Sequence, residues 1–420
     1  MQVLDDQAIE TIARGEYTMD TPSADVLRGR DVICFSNDWS GDPLSKTHLM
    51  RLLARDNRVL WVNSIGYRAP KASKADVSRA FRKLVAAAGP ITEPERNIFV
   101  LNPIAIPAYG NPRIREINRH LLRFQVKRAM RHLDFQRAVN WVYMPAAAVV
   151  AGDLGEDLLI YHCVDEYTGF SGVSARSIAE LEERLIRRSD LVVVSSDLLY
   201  QSKVKINPHT VLVRHGVDHA HFRRALSPGT IVPSDIAELP RPIIGFFGLI
   251  ADWVDVDLMA HVAQQFPEGS LVLLGKATTD VSALTRLPNV HLLGRKHYEQ
   301  LPAYCKGFDV ALMPFRINNL TLNSNPLKVR EYLAAGLDVV STPIPEVEVL
   351  NLCRIGFDKE SFVREIRTAL MNPGPSIERS EAVRGESWEA RLDDIRGHLA
   401  ALRQNNSMDG SRRAREDKDE

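Results

Sequence analysis

"DVICFSNDWSGDPLSKTHLMRLLARDNRVLWVNS", residues 31–64, sets a strand, a loop, a helix and a strand in succession. DVICFS is a short apolar run of the kind that forms a strand buried on both faces. NDWSGDP is a polar loop, and Leu44, Leu49, Leu52 and Leu53 mark the helix that follows. RVLWVNS is the second strand. This rhythm is the signature of a parallel, doubly wound sheet. It continues through a long helix at 113–133, the strands VNWVYM and LLIYHCV, a helix at 176–189 and the strand LVVVSS; residues 68–96 are basic and less regular.

A Pro-rich stretch, SPGTIVPSDIAELPRP, interrupts the pattern, and the alternation restarts at Pro242. PIIGFFG, SLVLLG, NVHLLG, FDVALMPF and DVVSTP are strands, with helices at 255–266 and 298–306 between them. At 420 residues the chain is too long for one ordinary core. The reading is therefore an α/β protein of two Rossmann-like units: a leader (1–29), a first domain (30–225), a linker (226–241) and a second domain (242–385). An amphipathic helix (386–403) and an apolar-poor tail (404–420), expected to be disordered, complete the chain.

Composition narrows the class. Hydrophobic content of 45% and charged content of 25% belong to a soluble globular protein. Net charge is zero, yet residues 51–140 hold eighteen Lys and Arg against six Asp and Glu. Cys34, Cys163, Cys305 and Cys353 are scattered, with no CxxC pair, which excludes a zinc ribbon and fits a reducing compartment. MQVLDDQAIE has no hydrophobic core for a secretion signal, and no apolar run approaches a membrane span. The expected location is cytoplasmic, at the inner face of the membrane if helix 113–133 docks there.

The stretch NSNPLKVREYLAAG, residues 323–336, concentrates the chemistry. Asn325 suits a helix N-cap, Pro326 the first helical position and Gly336 a left-handed helix end. Lys328 and Glu331 are three apart and share a face. A helix start with a lysine suits a phosphate, and a carboxylate can accept hydrogen bonds from hydroxyls. Each charge of a diphosphate gains about 0.3–1 kcal/mol from the helix dipole. The bland alternative is a surface ion pair worth a few tenths of a kcal/mol.

Five further stretches, in order, carry a resemblance. RHGVD (214–218), GFFG (245–248), LVLLG (271–275), LGRKHYEQLPAYCKGFDVALMPF (293–315) and NPLKVREYLAAGLDVVST (325–342) resemble motifs of the group 1 (family 4) glycosyltransferases of GT-B fold. Upstream, YHCVDEYTGF and RRSDLVVVSSDLL are similar to the end of that family's acceptor domain. The resemblance implies two Rossmann-like domains facing a cleft, the first for the acceptor and the second for a UDP-, GDP- or dTDP-sugar. It implies that Glu331 binds the ribose, and that Lys328, Asn325, Leu327 and Gly248 lie around the diphosphate. Arg295 and His297 would flank the base. Where the family carries a second acid, this chain has Asn323, a departure at the donor-sugar position. The implied activity is transfer of a hexose to a glycan or lipid-linked acceptor, as in surface polysaccharide synthesis, with no cofactor. An epimerase of the same fold, or a non-catalytic partner of an active transferase, stays open beside it.

A base for the acceptor hydroxyl would come from the first domain. Asp165 and Asp38 both follow strands at the carboxyl edge, and His162 is the rival, though a histidine inside LLIYHCV is more often core. A retaining course would need no such base, and the sequence leaves both courses open. "DVD" at 255–257 suits the dipole of a helix start better than a metal, and none is expected. Helix 113–133 carries seven cations among apolar residues, which fits either an anionic membrane or a solvated face. Nucleic acid is not an expected partner, since no recognition module accompanies the charge.

Overall fold

The computed structural model describes residues 25–65, 89–170 and 174–416, with side chains to Gln404. Most of the expected leader, much of the basic stretch after residue 65 and the last four residues lie outside the described residues.

The first sheet contains β1 (Asp31–Phe35), β2 (Arg58–Val62), β3 (Thr92–Glu95), β4 (Ile98–Leu101), β5 (Val139–Val142), β6 (Leu158–Cys163), β7 (Leu191–Val194) and β8 (Thr210–Leu212). Their order is β3-β4-β2-β1-β5-β6-β7-β8. Every pairing is parallel except β3 with β4. β3 and β4 were not legible in the sequence, because TEPE is polar and IFVL is only one short turn of strand pattern. The chain builds outward from β1 on one side, then crosses to β5 on the other. The loop after β1 therefore sits at the switch point, where open α/β sheets bind ligands.

The second sheet contains β9 (Ile243–Phe247), β10 (Ser270–Leu274), β11 (Val290–Gly294), β12 (Val310–Met313), β13 (Val339–Ser341) and β14 (Arg354–Ile355), in the order β11-β10-β9-β12-β13-β14. All its pairings are parallel. Here the switch point lies between β9 and β12. Gly245 in β9 is a packing glycine: a Cβ there would stand 2.1 Å from the Phe308 ring.

Five helices matter for the site: α1 (Ser45–Leu53), α2 (Pro112–His132), α3 (Val256–Gln265), α4 (Leu327–Ala334) and α5 (Trp388–Glu416). Asp255 caps α3, its carboxylate accepting from the Leu258 amide at 3.0 Å, so the first acid of the DVD stretch serves the helix. α4 ends as its glycine suggests. Gly336 takes φ +87°, and the amides of Gly336 and Leu337 turn back to Leu333 and Tyr332.

The polypeptide returns to its first half at the end. Trp388, Leu392, Ile395 and Leu399, spaced as one helical stripe, join the same core as Val32, Leu49 and Trp141. α5 does not stop near residue 403 but runs helical to Glu416. The expected disorder is corrected to that extent: polarity removes a reason to pack, but Arg, Gln, Met and Ala remain good helix formers.

Candidate functional site

A cavity of about 530 Å³ lies between the two sheets, walled by the loops that follow β1, β6, β9, β10 and β12 and by the starts of α1 and α4. Both switch points open onto it.

Lys328 and Glu331 stand together on its second-domain wall. Lys328 lays its stem across Gly248, where any Cβ would come within 2.3 Å of the lysine Cε, and its ammonium lies 5.8 Å from the Phe247 ring centroid. Gly248 also adopts φ +143°, so glycine is required twice over. The Lys328 ammonium forms no salt bridge with a described carboxylate, although its charge acts on Glu331. Burial raises the Glu331 carboxyl above its ordinary range, with Lys328 opposing and Asp42 and Asp218 reinforcing the shift. No described donor hydrogen-bonds to it. A carboxylate desolvated without a partner is costly, and such groups concentrate where a ligand completes them.

Asn325 does not cap α4. The structure corrects that expectation: Pro326 is the N-cap residue, and no side chain caps the helix. Asn325 is 4% exposed and faces the other way. It donates to the Ser195 carbonyl at 2.8 Å and to Glu346 at 3.2 Å, and accepts from Arg330 at 2.7 Å. The amides of Leu327 and Lys328 consequently donate to no described residue. Both residues line the cavity.

That buried polar seam joins the two halves of the chain. Glu346, 2% exposed, accepts from the Asp197 amide at 2.8 Å and pairs with Arg214 at 2.7 Å, while Arg330 pairs with Glu386 at 3.0 Å. Nothing in the sequence pattern marked Glu346 or Arg330, because their ion-pair partners Arg214 and Glu386 lie 132 and 56 residues away. Asn323 belongs to the same seam. Its carbonyl accepts from Ser196 at 2.7 Å and its side chain turns to the Asn319 carbonyl at 2.7 Å, outside the cavity wall. The wall holds Thr321 and Ser324 instead.

Of the residues expected around the base, Arg295 lines the cavity and crosses it, pairing with Asp42 of the opposite wall at 2.6 Å. His297 does not reach the cavity. It opens the short turn at Tyr298–Gln300, its amide donating to the Gln300 side chain at 3.2 Å.

The three candidate bases separate clearly. Asp165 lines the first-domain wall, and burial pushes its carboxyl up to about 6 against the pull of Lys46. Asp38 is exposed and outside the wall, holding the Ser64 amide at 3.1 Å. His162 is core: it stacks on Tyr143 at 4.9 Å, accepts from the Trp141 indole at 3.4 Å, and is driven down to about 3 by burial. Lys46 and His215 also line the cavity and were not anticipated.

The family model for glycosyl transferases group 1 matches residues 241–372. These residues are similar to a group 1 glycosyl transferase domain. The Bacillus subtilis (strain 168) protein TuaH, assigned as a teichuronic acid biosynthesis glycosyltransferase, is 29% identical over 238 residues, 51% of this chain and 58% of its own. The match thus spans little more than half the length of that relative. Sucrose-phosphate synthase from Thermosynechococcus elongatus superposes with a TM-score of 0.63 at 14% identity, over 90% of this chain and 100% of that one. The catalytic domain of Arabidopsis thaliana starch synthase IV, bound to ADP and acarbose, gives 0.62 at 12% identity, over 89% and 99%. Anabaena HepE in complex with UDP gives 0.54 at 14%, over 91% and 99%. At these identities the likeness concerns architecture, and the architecture is GT-B.

Proposed function

We propose that the chain transfers a hexose, or a hexose derivative, from a UDP-, GDP- or dTDP-sugar to a glycan or lipid-linked acceptor in surface polysaccharide synthesis. The observation that carries this reading is the uncapped start of α4, with Lys328 and the open amides of Leu327 and Lys328 on one cavity wall. A diphosphate supplies the acceptor oxygens those donors lack, and the dipole adds about 0.3–1 kcal/mol per charge. Glu331, one turn further on, reaches the ribose hydroxyls. In this reading the leaving diphosphate is neutralised by the chain's own groups, and no metal is invoked. Motion of the two walls about the seam would bring donor and acceptor into register.

Titration of UDP, GDP and dTDP by calorimetry tests the reading. One base is expected to bind with micromolar affinity, and its sugar form to be consumed only when an acceptor glycan is present. Conversion of the sugar nucleotide without acceptor would mark an epimerase, and a folded chain that binds no nucleotide would mark a non-catalytic partner.

A lipid-linked acceptor places the enzyme at a membrane, and α2 suits that contact. Its buried face is Asn118, Leu122, Val126 and Ala129. Arg115 and Arg119 are held by Glu180 and Asp153. Arg113, Arg123, Lys127, Arg128 and Arg131 make no ion pair with a described residue, and Ile117 and Phe124 stand among them 49% and 59% exposed. Among the described residues no helix is long and apolar enough to cross a membrane. Each cation near an anionic surface is worth about 1 kcal/mol. Replacing Arg123 and Lys127 by Gln should weaken binding to vesicles of equal parts phosphatidylglycerol and phosphatidylcholine by about thirtyfold. Equal sedimentation of wild type and variant would remove α2 from the interface.

A further inference from the structure

Opposite walls of the cavity carry similar short stretches, a Pro-Leu followed closely by a lysine. Pro43-Leu44-Ser45-Lys46 leads into α1, and Pro326-Leu327-Lys328 leads into α4. Each lysine is the second residue of its helix, neither N-cap side chain bonds the helix start (at α1 the Leu44 amide donates to the Thr47 hydroxyl at 3.3 Å), and the first two amides of each donate to no described residue. The diphosphate accounts for Lys328. The transferase reading gives Lys46 no ligand, only its pull on the Asp165 carboxylate.

Lys46 projects into the cavity from the first-domain wall, its ammonium 5.8 Å from the Tyr143 ring centroid and unpaired with any described carboxylate. Burial lowers its pKa, with Asp165 opposing, so this charge is held at a cost. A second group points to the same vacancy of partners. His215 is 5% exposed, lines the cavity, and touches Trp388 at a ring separation of 5.9 Å, yet it hydrogen-bonds to no described residue. Burial keeps its ring neutral, leaving one N–H and one lone pair. His215 thus stands on the cavity lining with a donor and an acceptor that no described residue takes up.

We propose that Lys46, the open start of α1 and His215 form a second anion subsite, which takes the carboxylate of a uronosyl sugar in the acceptor. One ammonium with a neutral histidine offers one positive charge and separate donors for two oxygens, which matches a carboxylate. A phosphate monoester carries a charge nearer two, and the Asp165 carboxylate beside Lys46 opposes it. The groups belong to α1 and to the stretch after β8, on the wall that carries Asp165, whereas the donor contacts lie on the facing wall. The word acceptor rests on the transferase reading; the carboxylate subsite does not.

The test uses the full chain and three probes: methyl β-glucuronide, methyl β-glucoside and inorganic phosphate, each followed by saturation-transfer NMR with and without the nucleotide found by calorimetry. The glucuronide is expected to bind at least tenfold more tightly than the glucoside. Lys46→Met and, independently, His215→Asn should each remove that preference by tenfold or more, with the nucleotide dissociation constant within twofold of wild type as evidence of an intact fold. Lys328→Met should do the reverse. Equal binding of the two glycosides overturns the proposal, as does tighter binding of phosphate than of glucuronide. Loss of nucleotide in Lys46→Met equal to that in Lys328→Met also overturns it, for Lys46 would then be a diphosphate ligand. Failure of wild type to bind any nucleotide sinks the transferase reading alone, because the glucuronide preference is read on the free protein.

Discussion

Glu331→Ala should weaken the nucleotide by about hundredfold or more while leaving the fold intact. The carboxylate lines the cavity, is raised in pKa by burial, and has no described hydrogen-bond donor. A hydrogen bond to a charged group is worth about 1.5–3 kcal/mol, and two ribose hydroxyls would reach one carboxylate. At about 1.4 kcal/mol per decade, a loss of hundredfold is the modest end of that range. Glu331→Gln keeps one acceptor oxygen and should lose closer to tenfold. Both variants should melt no lower than wild type, since each removes a desolvated charge that the free protein leaves unpaired. Calorimetry with the preferred nucleotide and a thermal melt decide the matter together. Unchanged affinity in Glu331→Ala would place the ribose elsewhere, and a sharply lowered melting temperature would make Glu331 structural.

The parts of this site that were readable in the sequence share one property: their meaning is local. The strand–helix–strand text at 31–64 and its restart at Pro242 fix two parallel sheets through short-range periodicity alone. Lys328 and Glu331 share a face because a helix places residues three apart together, whatever surrounds it. Asn325 misled for the complementary reason. Its preference for a cap is a local propensity, and it is outbid in the seam by Ser195 and Glu346, 130 and 21 residues away, together with Arg330 of the helix itself. Its removal from the cap left the amides of α4 open, so the error in reading bears directly on the chemistry. His162 and Asp38 were candidates only through their place after or within a strand; which side of the sheet edge a loop turns to is not written in spacing. Lys46 had a signal that could have been found, the repeat of Pro-Leu before a lysine at 43–46 and 326–328. His215 had none, because its lack of partners is visible only once the fold surrounds it.

Asp165→Asn should reduce kcat by about 10³-fold, within the range that positioned general bases supply. In the step it would serve, the acceptor hydroxyl gives its proton to the Asp165 carboxylate as its oxygen bonds to the anomeric carbon. The bond from that carbon to the diphosphate breaks, and the nucleoside diphosphate leaves with the electron pair, its charge met by Lys328 and the start of α4. Inversion of configuration follows from such a displacement. The pH dependence supplies a sharper check than the rate. Burial holds the carboxyl at about 6, so below that pH the group is protonated and cannot act as base. kcat/KM of the wild type should rise with pH through about 6 and then level, and in Asp165→Asn that limb should vanish while nucleotide affinity is retained. Lys46 favours the ionised carboxylate, so Lys46→Met should move the midpoint of the limb upward. A product of retained configuration, with Asp165→Asn slowed less than tenfold, would show that the leaving diphosphate itself takes the proton and that Asp165 only positions the acceptor.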